Sequence, residues 1–358
     1  MEGNARTAST SIRAWAVAVV AAFSIIGLVP LAQAQRAANF NQAGVQKSSK
    51  AQGALKASEQ EAIQKAKELE AVGNSAPAGR GPGYTPKTIY IFGDSLSDTG
   101  SGYARYYDFF TSVGFKLYLP YYAVPRFSNG LIWPDFLGKT FGLTIRPDVD
   151  GGTNYAIAGS TISPENRYNN RPEMSGFAQV DQFLAAYQRA HPQAVYIIWL
   201  GGNDIDPPAS YTEWNYEQLV TMVERLHAAG ARNFLIPNLF DVGALPLVIS
   251  WGDPAYAQQL SDMTVLFNQL LAGLPARFPN ANIKIVDVYR FRTMIDRYPR
   301  AFGFTNTTDG CYLSYGDGSI CTDPDKHWYW DGSHPSTRAH KLLSNLFALE
   351  LAKTEWLK

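Results

Sequence analysis

A serine hydroxyl becomes a nucleophile only when a base takes its proton, so the residues to look for are a serine, a histidine and an acid. The chain offers them in short blocks. Gly93-Asp94-Ser95-Leu96 runs into Ser97-Asp98-Thr99-Gly100, and Asp331-Gly332-Ser333-His334-Pro335 lies near the C-terminus. Between them stand Asn154-Tyr155-Ala156-Ile157-Ala158-Gly159-Ser160 and Gly201-Gly202-Asn203-Asp204. Ser95 supplies the hydroxyl and His334 a suitable base. Asp331, three residues before the histidine, is spaced to hold one imidazole tautomer and to steady the imidazolium that forms. Gly159 has no side chain to keep a ligand away from its backbone N–H. The Asn203 amide can donate to a developing oxyanion, a contribution typically worth about 3 kcal/mol at the transition state.

Each residue also has an ordinary structural role. Ser95 would serve as a helix N-cap, Asp331 and His334 as a hydrogen-bonded loop pair, and Asn203 as a turn residue. The ordered set of blocks outweighs these readings. For Asp94, Asp98 and Asp204 the structural role wins, and they are expected to cap backbone and brace the site. His327, four residues before Asp331, is the rival base; His191, His227 and His340 are given no chemistry. Tyr121, Tyr122, Trp133 and Trp330 are candidates for lining an acyl or alcohol pocket, although aromatics more often fill cores.

The elements that must hold these blocks are legible as apolar runs. Thr88–Phe92, Ala194–Leu200, Asn233–Pro237 and Asn282–Val288 read as strands covered on both faces, as in a parallel sheet. Amphipathic stretches at Tyr216–Ala229 and Asp253–Arg277 read as helices between them. Alternating strands and helices imply an α/β, three-layer, doubly wound, mainly parallel sheet. In such sheets the chemistry lies beyond the carboxyl ends of the strands, where Ser95 and Asn203 fall.

On these motifs the chain resembles the GDSL, or SGNH, hydrolases, whose blocks I, II, III and V look like the four segments above. The resemblance covers roughly residues 88 to 350. It implies the flavodoxin-like SGNH fold, Ser95 as nucleophile, and Asp331 and His334 completing a triad. It also implies an oxyanion hole made of the Ser95 and Gly159 N–H groups and the Asn203 side chain; block II is the loosest match. Arg126-Phe127-Ser128-Asn129-Gly130 with Trp133 and Asp135, Ile236-Pro237-Asn238-Leu239 and Ala301-Phe302-Gly303-Phe304 resemble the secreted lipase/acylhydrolase branch. Around Ser95 there is no G-x-S-x-G, which argues against the ordinary α/β-hydrolase elbow.

Composition narrows the rest. With 31 basic and 31 acidic residues the net charge is zero, which gives no support to a nucleic-acid partner. Arg6 and Arg13 precede an apolar run ending in Ala32-Gln33-Ala34. Residues 1–34 therefore read as an export signal cut after Ala34, with an uncleaved anchor as the alternative. Residues 35–87 read as a low-complexity linker with a solvated helix near Ser58–Val72, and 88–358 as the hydrolase domain. Cys311 and Cys321 lie in a Gly/Asp/Ser-rich loop; a disulfide is the reading that export favours, and free thiols the alternative. Two cysteines without a further Cys/His set fall short of zinc ligation, so neither a metal nor an organic cofactor is expected.

The expected activity is hydrolysis of small-molecule or lipid esters by a secreted or periplasmic protein in transient contact with a lipid or envelope surface. Phospholipase, acyltransferase and carbohydrate acetylesterase activities share the same triad. A non-catalytic binding module and an envelope-anchored structural protein are the readings from other classes. Substrate and oligomeric state are not written in the sequence.

Overall fold

The computed structural model describes residues 49–74, 88–165, 171–354 and 356. The expected signal segment 1–34 and about half of the expected linker, 35–48 and 75–87, lie outside the described residues. The helices used below are α1 (Ser49–Asn74), α2 (Ser101–Ser112), α3 (Trp133–Phe141), α4 (Gly176–Tyr187), α5 (Ala209–Ala228), α6 (Pro254–Ala272), α7 (Val288–Arg297) and α8 (Thr337–Ala352). The strands are β1 (Ile89–Gly93), β2 (Val195–Trp199), β3 (Asn233–Pro237), β4 (Asn282–Val286), β5 (Asn306–Gly310) and β6 (His327–Tyr329).

Strands β1 to β4 form one parallel sheet in that order. A further extended segment runs along the free side of β1. There the Ile91 N–H donates to the Thr153 carbonyl at 3.0 Å, and the Tyr155 and Ile157 N–H groups donate to Ile91 and Gly93 at 2.8 and 3.1 Å. This segment follows β1 in the chain but lies on the side away from β2. The winding therefore reverses at β1, and the switch point falls between β1 and β2, where a doubly wound sheet opens its binding crevice. The α/β class and parallel sheet are as expected from the sequence. Strand β4 is an edge strand with Asn282 exposed and Ile283, Lys284 and Ile285 half-buried, so it is not covered on both faces.

Side-chain alternation sorts the sheet into two packed faces. Trp199 on β2 meets Trp133 of α3 and Phe347 of α8, with ring centroids 6.2 and 5.4 Å away. On the other face Tyr90, Phe92 and Tyr196 pack on Phe183 of α4, at 4.9, 5.7 and 5.9 Å. Helices are thus set on both sides of the sheet. The pair β5–β6 lies outside the main sheet and was not anticipated from sequence. It delivers the chain into the Asp331–His334 turn.

Helix α1 departs from the expectation of a solvated segment. Ala62, Ala66 and Leu69 recur at helical spacing, and all three are buried in the main core. Gly73 lies so close to α8 that a Cβ there would sit 2.5 Å from Asn345 Nδ2. Glu61 pairs with Arg290 at 3.2 Å on the exposed side. The small residues let the helix backbone approach the domain, and Leu69 supplies the apolar anchor. Because Leu69 is fully buried, Leu69→Ala should lower unfolding free energy by about 2–5 kcal/mol. Thermal denaturation would show it, with turnover per folded molecule unchanged, since α1 packs behind α8.

Candidate active site

After β1 the chain turns sharply. The Ser97 and Asp98 N–H groups both donate to the Asp94 carbonyl at 3.0 Å, which leaves Ser95 half-buried at the crest of a single turn. Helix α2 starts only at Ser101, so Ser95 is not its N-cap. Gly93 is confined by packing: a Cβ there would lie 2.7 Å from the Ser97 side chain. Asp98 anchors the turn by accepting from the N–H groups of Gly100, Gly102 and Ala158 at 2.7, 2.9 and 2.8 Å. Burial pushes its carboxyl up to about 6 in spite of those donors.

The structure brings Ser95, His334 and Asp331 into one line. His334 Nε2 lies 2.8 Å from Ser95 Oγ, and its Nδ1 lies 2.7 Å from Asp331 Oδ2. With Asp331 ionised, the Nδ1 proton points to the carboxylate and the Nε2 lone pair faces the serine hydroxyl. Asp331 Oδ1 accepts from the N–H groups of Ser333 and His334 at 2.8 and 2.7 Å. Burial would raise the Asp331 carboxyl, but His334, Tyr122 and the Ser333 N–H hold it below its ordinary range. For His334, burial favours the neutral ring; the charge and hydrogen bond of Asp331 and the charge of Asp94 outweigh it and raise the pKa.

Segment 126–130 braces this turn. Phe127 packs 5.7 Å from the His334 ring, Ser128 Oγ donates to the Pro335 carbonyl at 2.9 Å, and Asn129 Oδ1 accepts from the Thr337 N–H at 2.8 Å. Arg126 and Asp135 form a bidentate pair that holds the segment to α3.

Gly159 and Asn203 lie on the loops that follow the Asn154 segment and β2. Gly159 has φ +75°, a conformation that favours glycine, and a Cβ there would meet Met174 at 3.0 Å. Asn203 Nδ2 donates to the Ser160 carbonyl at 2.9 Å, which uses one of its two N–H bonds and leaves the second. Gly202 lies against Asp94, whose Oδ2 is 3.9 Å from where a Cβ would stand. Asn203 thus sits beside the β1 turn.

Three groups that reasoning from sequence did not assign prove central. Gln179, fully buried on α4, accepts from the Gly93 N–H at 2.9 Å and donates to the Gly93 carbonyl and Ser160 Oγ at 2.8 and 3.0 Å. Asn154 is likewise buried and donates to the Ser97 carbonyl and Thr99 Oγ1 at 2.7 and 3.0 Å. Tyr122, considered as a pocket wall, instead donates to Asp331 Oδ2 at 2.6 Å. Nothing in a glutamine within an apolar helix face, or in one tyrosine among many, marks such partners in advance.

The rival base His327 is occupied elsewhere, with Nδ1 3.2 Å from the Asp323 carbonyl. Cys311 and Cys321 form a disulfide, which removes both thiols as metal ligands although His327 stands beside them. His340 is fully buried and pushed down to about 3 by burial and by His334, so it stays neutral. Trp133 is a core residue of the α3 face, and Trp330 Nε1 donates to the Tyr121 carbonyl at 2.6 Å.

A hydroxyl backed by a buried imidazole, at the switch point of a parallel sheet, is the arrangement of a serine hydrolase, and the family it falls in makes it a serine ester hydrolase. The GDSL-like lipase/acylhydrolase model matches residues 89–347, and the chain belongs to that family. It is 25% identical over 324 residues to a GDSL esterase/lipase of Arabidopsis thaliana, covering 74% of this chain and 87% of that one. It is 33% identical over 238 residues to the phosphatidylcholine-sterol acyltransferase of Aeromonas hydrophila, covering 63% and 65%. Acetylajmalan esterase 2 of Rauvolfia serpentina is 24% identical over 321 residues, covering 71% and 87%.

If His334 is the base that takes the Ser95 proton it must be neutral, and a raised pKa means that it takes up its own proton at a higher pH. The acid limb of kcat/KM should therefore lie above the ordinary imidazole value of 6.5. A pH–rate profile with a simple ester checks this; a limb below 6.5 would contradict the assignment.

Proposed function

We propose that the protein is an exported carboxylic ester hydrolase that works through an acyl-Ser95 intermediate. The observation that carries the reading is the unbroken line from Ser95 Oγ through the His334 ring to the Asp331 carboxylate, at 2.8 and 2.7 Å. Ser95 attacks the ester carbonyl while His334 Nε2 accepts its proton. The tetrahedral oxyanion is held by the Ser95 and Gly159 N–H groups and the second Asn203 N–H. His334 then protonates the leaving alcohol, and water activated by the same ring releases the acid. No step calls for a metal or an organic cofactor.

An apolar acyl group suits the surroundings. Phe110, Phe127, Ile157 and Met174 form a buried cluster beside the site, and Phe115 packs 6.5 Å from the His334 ring. Acyl transfer to an alcohol in place of water is the second reading, favoured by the 33% likeness to a phosphatidylcholine-sterol acyltransferase. Export by residues 1–34 is supported by the Cys311–Cys321 disulfide, since such bonds persist in oxidising compartments.

Ser95→Ala should abolish hydrolysis of a p-nitrophenyl ester series, acetate through palmitate, and also labelling by a fluorophosphonate, without loss of fold. Asn203→Ala should cut turnover by about a hundredfold or more. Full activity in Ser95→Ala would sink the mechanism, whereas full activity in Asn203→Ala would sink only the oxyanion assignment. Product ratios with a competing alcohol separate hydrolase from transferase. The N-terminal sequence of secreted protein tests export, with Gln35 the expected first residue.

A further inference from the structure

The hydroxyl of Tyr122 has one acceptor, and that acceptor is the carboxylate behind the base. Tyr122 is buried, and its Oη donates to Asp331 Oδ2 at 2.6 Å. The same oxygen faces His334 Nδ1 at 2.7 Å. The ring of Tyr122 packs among Phe115, Phe127 and Tyr312 at about 6 Å. A phenylalanine would fill that space equally well, so packing does not account for the hydroxyl. The residue next to it is tied to the same turn, through the bond from Trp330 Nε1 to the Tyr121 carbonyl. Two consecutive residues of this loop thus grip two consecutive residues of the turn, Trp330 and Asp331.

We propose that Tyr122 is a positioning residue for hydrolysis: its hydroxyl fixes the plane of the Asp331 carboxylate and shares the oxygen that orients His334. The proposal rests on the triad assignment above. Oδ1 is held by two backbone N–H groups of the turn itself, which leaves rotation about the remaining side-chain bonds to be settled at Oδ2. The imidazole alone would have to settle it, and the imidazole is what must be held in place. An independent donor from a distant segment removes that circularity.

The electrostatic consequence has a definite sign. A hydroxyl donating to Oδ2 takes up part of the carboxylate charge, so the His334 ring feels less of it. Without the hydroxyl, the full anion faces Nδ1 and favours the imidazolium. Other titratable groups around the pair are Asp94 and His340 beside His334, and Tyr312 and Tyr315 beside Asp331. None of them donates to Oδ2 among the described residues.

The test compares wild type, Tyr122→Phe and Ser95→Ala on p-nitrophenyl butyrate across pH, with melting temperature and fluorophosphonate labelling rate measured alongside. Tyr122→Phe is expected to fold, to lose roughly tenfold in kcat with little change in KM, and to label more slowly. Its acid limb is expected at higher pH than that of wild type. A wild-type kcat and an unmoved limb would overturn the proposal, as would a raised KM at unchanged kcat, which would make Tyr122 a wall of the substrate pocket. Ser95→Ala separates the two levels of inference. If it is inactive while Tyr122→Phe behaves as wild type, only the positioning role fails; if it hydrolyses normally, the triad assignment fails.

Discussion

A carboxylate placed out of reach of water is the constraint on which the site is built. Asp331 is buried, and an unpaired charge there would be strongly disfavoured. Four donors meet it: two backbone N–H groups of its own turn, the His334 ring and the Tyr122 hydroxyl. Each also fixes a piece of chain. The backbone donors shape the Asp331–His334 turn, the ring is aimed at Ser95, and the tyrosine pins the loop before Phe127. The approach to the turn is held as well. The N–H groups of Cys311 and Tyr312 donate to the Tyr329 and Trp330 carbonyls at 3.1 and 2.6 Å, at the root of the disulfide loop. Satisfying one buried charge therefore organises segments more than two hundred residues apart in sequence.

Around Ser160 side-chain amides do comparable work alongside the buried acids. Gln179 engages both sides of Gly93 and the Ser160 hydroxyl, while Asn203 donates to the Ser160 carbonyl. The end of β1, helix α4 and the loop after β2 are thus tied to the segment at Ser160. An oxyanion site works through groups that need not reorganise as charge develops. Side-chain amides suit the task, because each both donates and accepts. The segment around Ser95 is thus held by two networks, one reaching the Asp331 carboxylate through His334 and the other running through the Gln179 amide.

The sequence disclosed the parts of this arrangement that lie close together in the chain. Asp331 and His334 are three apart, Ser95 follows an apolar run, and the alternation of runs and amphipathic stretches gave the α/β class. Strand pairing, by contrast, is a property of the folded chain. The extended segment at Asn154 carries only the short run Tyr155-Ala156-Ile157-Ala158, and a run of that length does not by itself announce that it would pair with β1 and create the switch point. Helix α1 was legible as a helix, but its buried stripe of Ala62, Ala66 and Leu69 is mostly small residues and reads as solvated. Gln179 and Tyr122 were illegible for the same reason: their partners lie 86 and 209 residues away.

Three further acids crowd the loops around Ser95, and their environment explains how that is tolerated. Burial pushes Asp94 and Asp98 up to about 6 and Asp204 up to about 8. Burial thus acts most strongly on Asp204 and disfavours its charged form. Asp98 meets three backbone N–H groups, which favour its charged form. The charge of Asp94 acts on His334 and helps to raise its pKa. Each acid thus holds backbone in place: Leu96 by Asp94, the start of α2 by Asp98, and the Ile162 N–H by Asp204. The carboxylates shape the loops, and burial together with backbone donors limits what their charge would otherwise cost the reaction.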